Sequence, residues 1–341
     1  MTRFLVPLFL LGACFLLAPR PASAVPITIP TVPVGNLGNA NDPATGSLYL
    51  YGGVGYAYNI GTTEVTNAQY AAFLNEKAAS DPLGLYNASM GSDARGGISQ
   101  GGVSGGFTYA TRTNMADKPV NFVSWYDSIR FANWLNNGQG TGATETGAYT
   151  LLGGTPTPSN GLSITRNLGA SWWLPSEDEW YKSAYHQPAA QGGDADNYWL
   201  FPTASNSAPT VATANAVGDI SNPGANVANY DLGADWNAQN GNVTTVGSAG
   251  PLSDSFYGTA DQGGNVWEWN EALISGSSRG LRGGSFLSSA GLLQSSFRNS
   301  FNPANEVSFI GFRVATVPEP STAVLAMVGC GLMLWWGKRR K

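Results

Sequence analysis

The stretch Asp261-Gln-Gly-Gly-Asn-Val-Trp-Glu-Trp-Asn270 limits what this chain can fold into more than any other. Its paired glycines allow a turn with positive φ at little steric cost. After the turn, Trp267 and Trp269 alternate with the polar Asn265 and Glu268. That pattern fits a strand entering a core better than an amphipathic helix. Asp261 and Glu268 bring two carboxylates to a turn rich in backbone carbonyls, the all-oxygen composition that Ca²⁺ accepts. The same residues also suit a bare folding nucleus, and residue types alone do not separate the two. A second glycine block, Arg282-Gly-Gly-Ser-Phe286, follows, and Gly311-Phe-Arg313 closes the globular part.

Both ends have the composition of targeting segments. Arg3, an apolar run over 4–17 and Ala22-Ser-Ala24 match the three regions of a secretory signal over 1–24, with Val25 as the first mature residue. Leu11-Gly-Ala-Cys14 has some likeness to a lipoprotein box, but the apolar run continues past Cys14. Residues 25–47 are rich in Pro, Gly and Asn and have the composition of an N-terminal arm. At 317–341, Val317-Pro-Glu-Pro320 precedes an apolar transmembrane span over 322–337 and a basic terminus, Lys338-Arg-Arg-Lys341. The tail resembles the PEP-CTERM sorting signal of Gram-negative bacteria, which an exosortase recognises and cleaves. An ordinary C-terminal membrane anchor is the alternative. The expected route is export by the secretion machinery, a transient inner-membrane anchor, and then the cell envelope or the exterior.

The two cysteines, Cys14 and Cys330, both fall in these ends, so the body between them has no disulfide and no thiolate. His186 is the only histidine, which excludes a His-rich Zn or non-haem iron site within one chain. Processing would remove six of the 17 basic residues and one of the 22 acidic ones, leaving a body of charge about −10. Such a surface argues against nucleic acid and permits cations.

Three helices are legible. Thr66 caps a run with Tyr70, Phe73 and Leu74 on one face. Ser124 and Asp127 form a capping box before Ile129, Ala132 and Leu135, and Asn136-Asn-Gly138 ends that helix. Ser176 and Glu179 form another, with His186 near the helix end. Residues 48–60 alternate aromatic and small side chains and predict a strand, and a short hairpin is expected around Phe107-Thr-Tyr109. Residues 187–251 carry little regular pattern, which predicts a long loop ordered by function or by bound ions.

Six blocks occur together in order: Glu64-Val-Thr-Asn67, Pro119-Val with Val123-Ser-Trp-Tyr-Asp127, Leu174-Pro-Ser-Glu-Asp-Glu-Trp180, Gly264-Asn-Val-Trp-Glu-Trp269, Arg282-Gly-Gly-Ser-Phe286 and Gly311-Phe-Arg313. In these blocks the chain resembles the formylglycine-generating enzyme (sulfatase-modifying factor) family over 48–316. The resemblance implies one α+β domain, related to the C-type lectin fold and low in regular secondary structure. It implies calcium on the Asp261 side chain, the Gly264 and Val266 carbonyls and the Glu268 carboxylate, and a second site near Asn229, Tyr230 and Asp235. Family enzymes hold copper on two cysteines after the Gly-Gly-Ser turn. Those positions are Ser288 and Leu293 here, so no copper is expected. Another branch holds iron on three histidines, which one His186 does not supply. The resemblance therefore points to a non-catalytic binding or structural protein, with a surface polysaccharide or a protein as ligand; residues 286–310 (Leu287, Leu292, Phe297, Phe301) are a candidate ligand face, with most of these apolar side chains expected in the core instead. A formylglycine-generating-type oxidoreductase working through other residues is the alternative.

Overall fold

Thr66, Ser124 and Ser176 each start a helix by the same reciprocal device. The hydroxyl accepts from the backbone N–H three residues on, and that residue's side chain accepts from the cap's own N–H. For Ser176 and Glu179 the two distances are 3.1 and 2.6 Å. In the computed structural model, which describes residues 26–43 and 50–318, these helices are α1 (Asn67–Lys77), α3 (Trp125–Asn136) and α4 (Glu177–Tyr185), with a single turn, α2 (Ser89–Ser92), between the first two. The signal-like segment and most of the C-terminal tail lie outside the described residues.

The strands are short. They are β1 (Thr31–Val34), β2 (Tyr58–Gly61), β3 (Ile98–Gly101), β4 (Thr108–Thr111), β5 (Trp172–Trp173), β6 (Thr210–Val211), β7 (Val227–Ala228), β8 (Trp267–Ile274), β9 (Ser278–Arg282), β10 (Asn299–Phe301), β11 (Ile310–Gly311) and β12 (Ala315–Thr316). One four-stranded sheet runs β1-β2-β12-β5 and the other β10-β9-β8-β11. The Trp-Glu-Trp strand expected from alternation is β8, and the expected hairpin is β3–β4.

Two stretches differ from expectation. Among the described residues of the 48–60 run, only 58–60 are strand, as part of β2. Gly52 has φ +96°, and the chain before β2 is instead tied to α4 through the Gly52 N–H on Asp178 (3.0 Å). The expected arm contributes β1, an edge strand paired with β2 in which Pro33 is tolerated because an edge needs fewer donors. The main core joins α1, α3 and the first sheet through Tyr70, Phe73, Phe131 and Trp134 on the helices and Tyr58, Ile60 and Ala315 on the strands, with Phe312 beside them. Residues 187–251 are ordered by protein groups: Tyr230 donates to the Pro209 carbonyl (2.5 Å) and Trp236 to that of Val243 (2.8 Å).

Candidate functional site

The glycine turn positions the centre of the site. Gly264 has φ +90°, and a Cβ there would lie 2.2 Å from the Asn229 carbonyl oxygen. Only glycine lets the two backbones approach for the bridge between residues 229 and 264. Beyond the turn, β8 runs parallel to β11 with Gly311 opposite Glu268, which sets Arg313 beside that carboxylate.

Arg313 grips Glu268 with two hydrogen bonds, Nε to Oε2 at 2.6 Å and Nη2 to Oε1 at 2.7 Å. Trp180 Nε1 adds a third at 2.8 Å. The remaining guanidinium donors reach the carbonyls of Ala260 (2.9 Å), Gly61 (2.9 Å) and Thr62 (3.3 Å). Both partners are fully buried. Such a fork-to-fork pair is the strong form of a charge-assisted bond.

Two more carboxylates face this pair. Asp261 Oδ2 accepts from the Gly247 N–H at 2.5 Å. Burial pushes its carboxyl up to about 6, against the relief from that bond and from Arg313. Glu64 Oε1 accepts from Asn265 at 3.1 Å, while its buried Oε2 has no partner. Burial first, then Asp261 and Glu268, raise Glu64 well above the ordinary carboxylate range. Three acids thus share one guanidinium.

This geometry does not fit calcium on Asp261, Gly264, Val266 and Glu268. Both Glu268 oxygens already accept hydrogen bonds, Oε1 from Arg313 and Oε2 from Arg313 and Trp180, so a cation there would compete with the guanidinium. The positive charge beside Glu268 is Arg313. The second set is not gathered into a shell either. Asn229 is buried beside Gly264 and donates to the Asn242 carbonyl (2.8 Å), Tyr230 points to Pro209, and Asp235 is exposed and accepts from the Gly241 N–H (2.7 Å). Among the described residues no group of three or more His, Cys, Asp or Glu has the arrangement to hold a metal ion.

At the two positions implied for thiolates, Ser288 Oγ accepts from the Ser285 N–H at 2.9 Å, and Leu293 is buried with Phe201, Ala228 and Tyr230. His186 is buried, with Nδ1 2.8 Å from the Tyr257 hydroxyl and Nε2 3.2 Å from the Asn36 amide. Burial, with Lys182 nearby, lowers its pKa to about 4, so it is neutral and structural at pH 7. Of the expected ligand face, Leu287 is exposed, whereas Leu292, Phe297 and Phe301 pack against the core.

Buried and half-buried ion pairs tie the motif blocks to one another and to the segments around them. Arg282 pairs with Glu177 of α4 at 2.8 Å, and Arg166 bridges Glu179 (2.7 Å) and Glu271 (2.6 Å). Sequence reading missed Arg313, Arg282, Arg166 and Glu64 as members of this set. The available signal was composition: with only 11% charged residues, an Arg inside a Trp- and Gly-rich block is a candidate for burial.

Comparison with known proteins places this architecture. Among solved structures, CarF covers 86% of this chain and 99% of its own, with a TM-score of 0.51 and 22% identity, a likeness of fold alone. The class is thus a mixed α and β domain of few helices and short strands. The chain belongs to the family of the sulfatase-modifying factor enzyme 1-like domain, matched over residues 54–317. It is 26% identical over 303 residues to hercynine oxygenase of Mycolicibacterium thermoresistibile, covering 80% of this chain and 54% of that one. The corresponding protein of Mycolicibacterium smegmatis is 25% identical over 291 residues, covering 76% and 53%. The chain therefore spans about half the length of these curated relatives.

Proposed function

We propose that this chain is a non-catalytic binding or structural member of its family. The observation that carries the reading is the donor set at residues 288 and 293. A hydroxyl engaged by Ser285 and an apolar side chain packed among Phe201, Ala228 and Tyr230 offer no soft ligand to copper. The composition of both ends adds that the protein is exported, held briefly at the inner membrane, and released by an exosortase to the envelope or exterior, where it meets a surface polysaccharide or a protein. No helix among the described residues is long and apolar enough to cross a membrane, and the expected span at 322–337 lies outside them.

The test is to incubate purified protein with Cu(I) and a cysteine-containing sulfatase-type peptide, reading metal content and peptide mass. The expected result is neither stoichiometric copper nor oxidation of the peptide. Either one overturns the reading. A second reading, an enzyme of the family acting through other residues, is favoured by the oxygenase names of the two relatives. It predicts oxygen consumption with a thiol peptide or with hercynine as substrate.

A further inference from the structure

A cavity of about 310 Å³ opens between the 161–166 loop and the β8–β9 hairpin. It shares no lining residue with the Glu268–Arg313 centre or with Ser288 and Leu293. Its volume is in the range of small-molecule sites. Leu162 and Leu273, 52% and 44% exposed, stand at its rim, and Ile164 and Trp125 give it apolar walls.

Its charged groups are Arg166, Glu271 and Arg279. Arg166 is committed to Glu271 and Glu179 at 2.6 and 2.7 Å. Arg279 differs. It is 3% exposed, and among the described residues it makes no ion pair. Its donors reach only neutral carbonyls, Glu271 at 2.8 Å, Ile164 at 2.9 Å and Gly161 at 3.3 Å. The guanidinium lies 3.8 Å from the Trp125 ring centroid, and its Nε has no partner. A buried cation in contact with dipoles and an aromatic face, with the Glu271 carboxylate attracting it without a direct ion pair, is under-compensated, and an anion brought to it gains a charge-assisted bond. Leu162 and Leu273 would cover an apolar body attached to that anion, burying surface on both sides.

We propose that this cavity binds a small organic monoanion with an apolar body, its acid group directed at Arg279 and its body between Leu162 and Leu273. The body's apolar surface excludes a bare inorganic ion, and the acid excludes a neutral hydrocarbon. The proposal stands whether or not the chain carries out oxidation chemistry elsewhere.

Phenylacetate is the probe, with 2-phenylethanol and phenethylammonium as its neutral and cationic counterparts, titrated into the full-length protein by calorimetry and ligand-observed NMR. Saturable binding of phenylacetate is expected, at least about tenfold tighter than either counterpart. Leu162→Trp and Leu273→Trp fill the mouth from exposed positions and should weaken binding at least about tenfold while leaving Tm unchanged. Arg279→Gln should weaken it similarly. If Arg279→Gln fails to fold, the rim variants still decide. No saturable phenylacetate binding in the millimolar range overturns the proposal. Equal affinity for the three probes, or affinity unchanged by both Trp substitutions, overturns it as well.

Discussion

Asp261→Asn tests whether a guanidinium or a metal ion neutralises the centre. In the folded state the Asp261 carboxyl is pushed up from 3.8 to about 6, chiefly by burial. A carboxyl with a raised folded pKa holds its proton more tightly folded than unfolded. Its contribution to stability is therefore fully present below the unfolded value, near 4, and lost as pH rises through 6. A shift of this size corresponds to a penalty of about 3 kcal/mol at pH 7, about 1.5 at pH 5 and about 0.5 at pH 4. Asp261 keeps part of its surface in water, and screening reduces the pH 7 figure to about 1–2 kcal/mol. Asparagine retains an oxygen for the Gly247 N–H and carries no charge, so Asp261→Asn should raise Tm at pH 7 by several degrees. The advantage over wild type should shrink steadily between pH 7 and pH 4. The assay is calorimetric or fluorescence melting of both proteins across that range, with and without a chelator. A lower Tm for the variant at pH 7, together with a wild-type Tm that falls on chelation, would refute the argument and restore a cation at Asp261.

Arg313→Met leaves Glu268 buried without its cation. It should cost about 3–5 kcal/mol at pH 7, with partial recovery in acid as the carboxylates protonate, read from chemical denaturation against pH. Gly264→Ala meets both a positive φ and the Asn229 carbonyl, so it should lower stability by more than about 2 kcal/mol, whereas Gly250→Ala, with φ +87° but open space, should cost about 1 kcal/mol. Intact mass of the exported protein should place the N-terminus at Val25 and the C-terminus near residues 318–320. Retention of Lys338 to Lys341 on the mature protein contradicts exosortase release.

Local signals carried most of the legible part of the fold. Ser124 with Asp127 and Ser176 with Glu179 announce helices because both halves of a capping box lie three residues apart. Trp267 and Trp269 announce β8 by alternation. The site was legible as a location, not as an arrangement. Glu268 and Arg313 are 45 residues apart, and Arg282 and Glu177 are 105 apart, distances at which no period or spacing pairs one residue with another. Asp261 and Glu268 suggested a cation, and the guanidinium that faces Glu268 lies in the Gly-Phe-Arg block, read only as a closing motif. The strand expected at 48–60 forms only at its end, in β2, for a similar reason. Its aromatic alternation is local, but Gly52, with its positive φ, and the contact with Asp178 turn the chain away from the sheet.

The place of β12 has a consequence for the order in which the molecule can be made. Residues 315–316 form an inner strand between β2 and β5, and Arg313 just before them closes on carbonyls at residues 61, 62 and 260. A chain emerging from its N-terminus thus holds an open gap in its first sheet, with Glu268 unpaired, until nearly its last globular residues appear. Vectorial synthesis cannot lock the domain half by half, and long-range closure of this kind is slow. A molecule lacking the final dozen globular residues should remain an open, protease-sensitive chain. Completion of the fold is thereby timed to the arrival of the segment that leads into the Pro-Glu-Pro tail. A pull on that tail would load an inner strand in shear rather than peel away an edge.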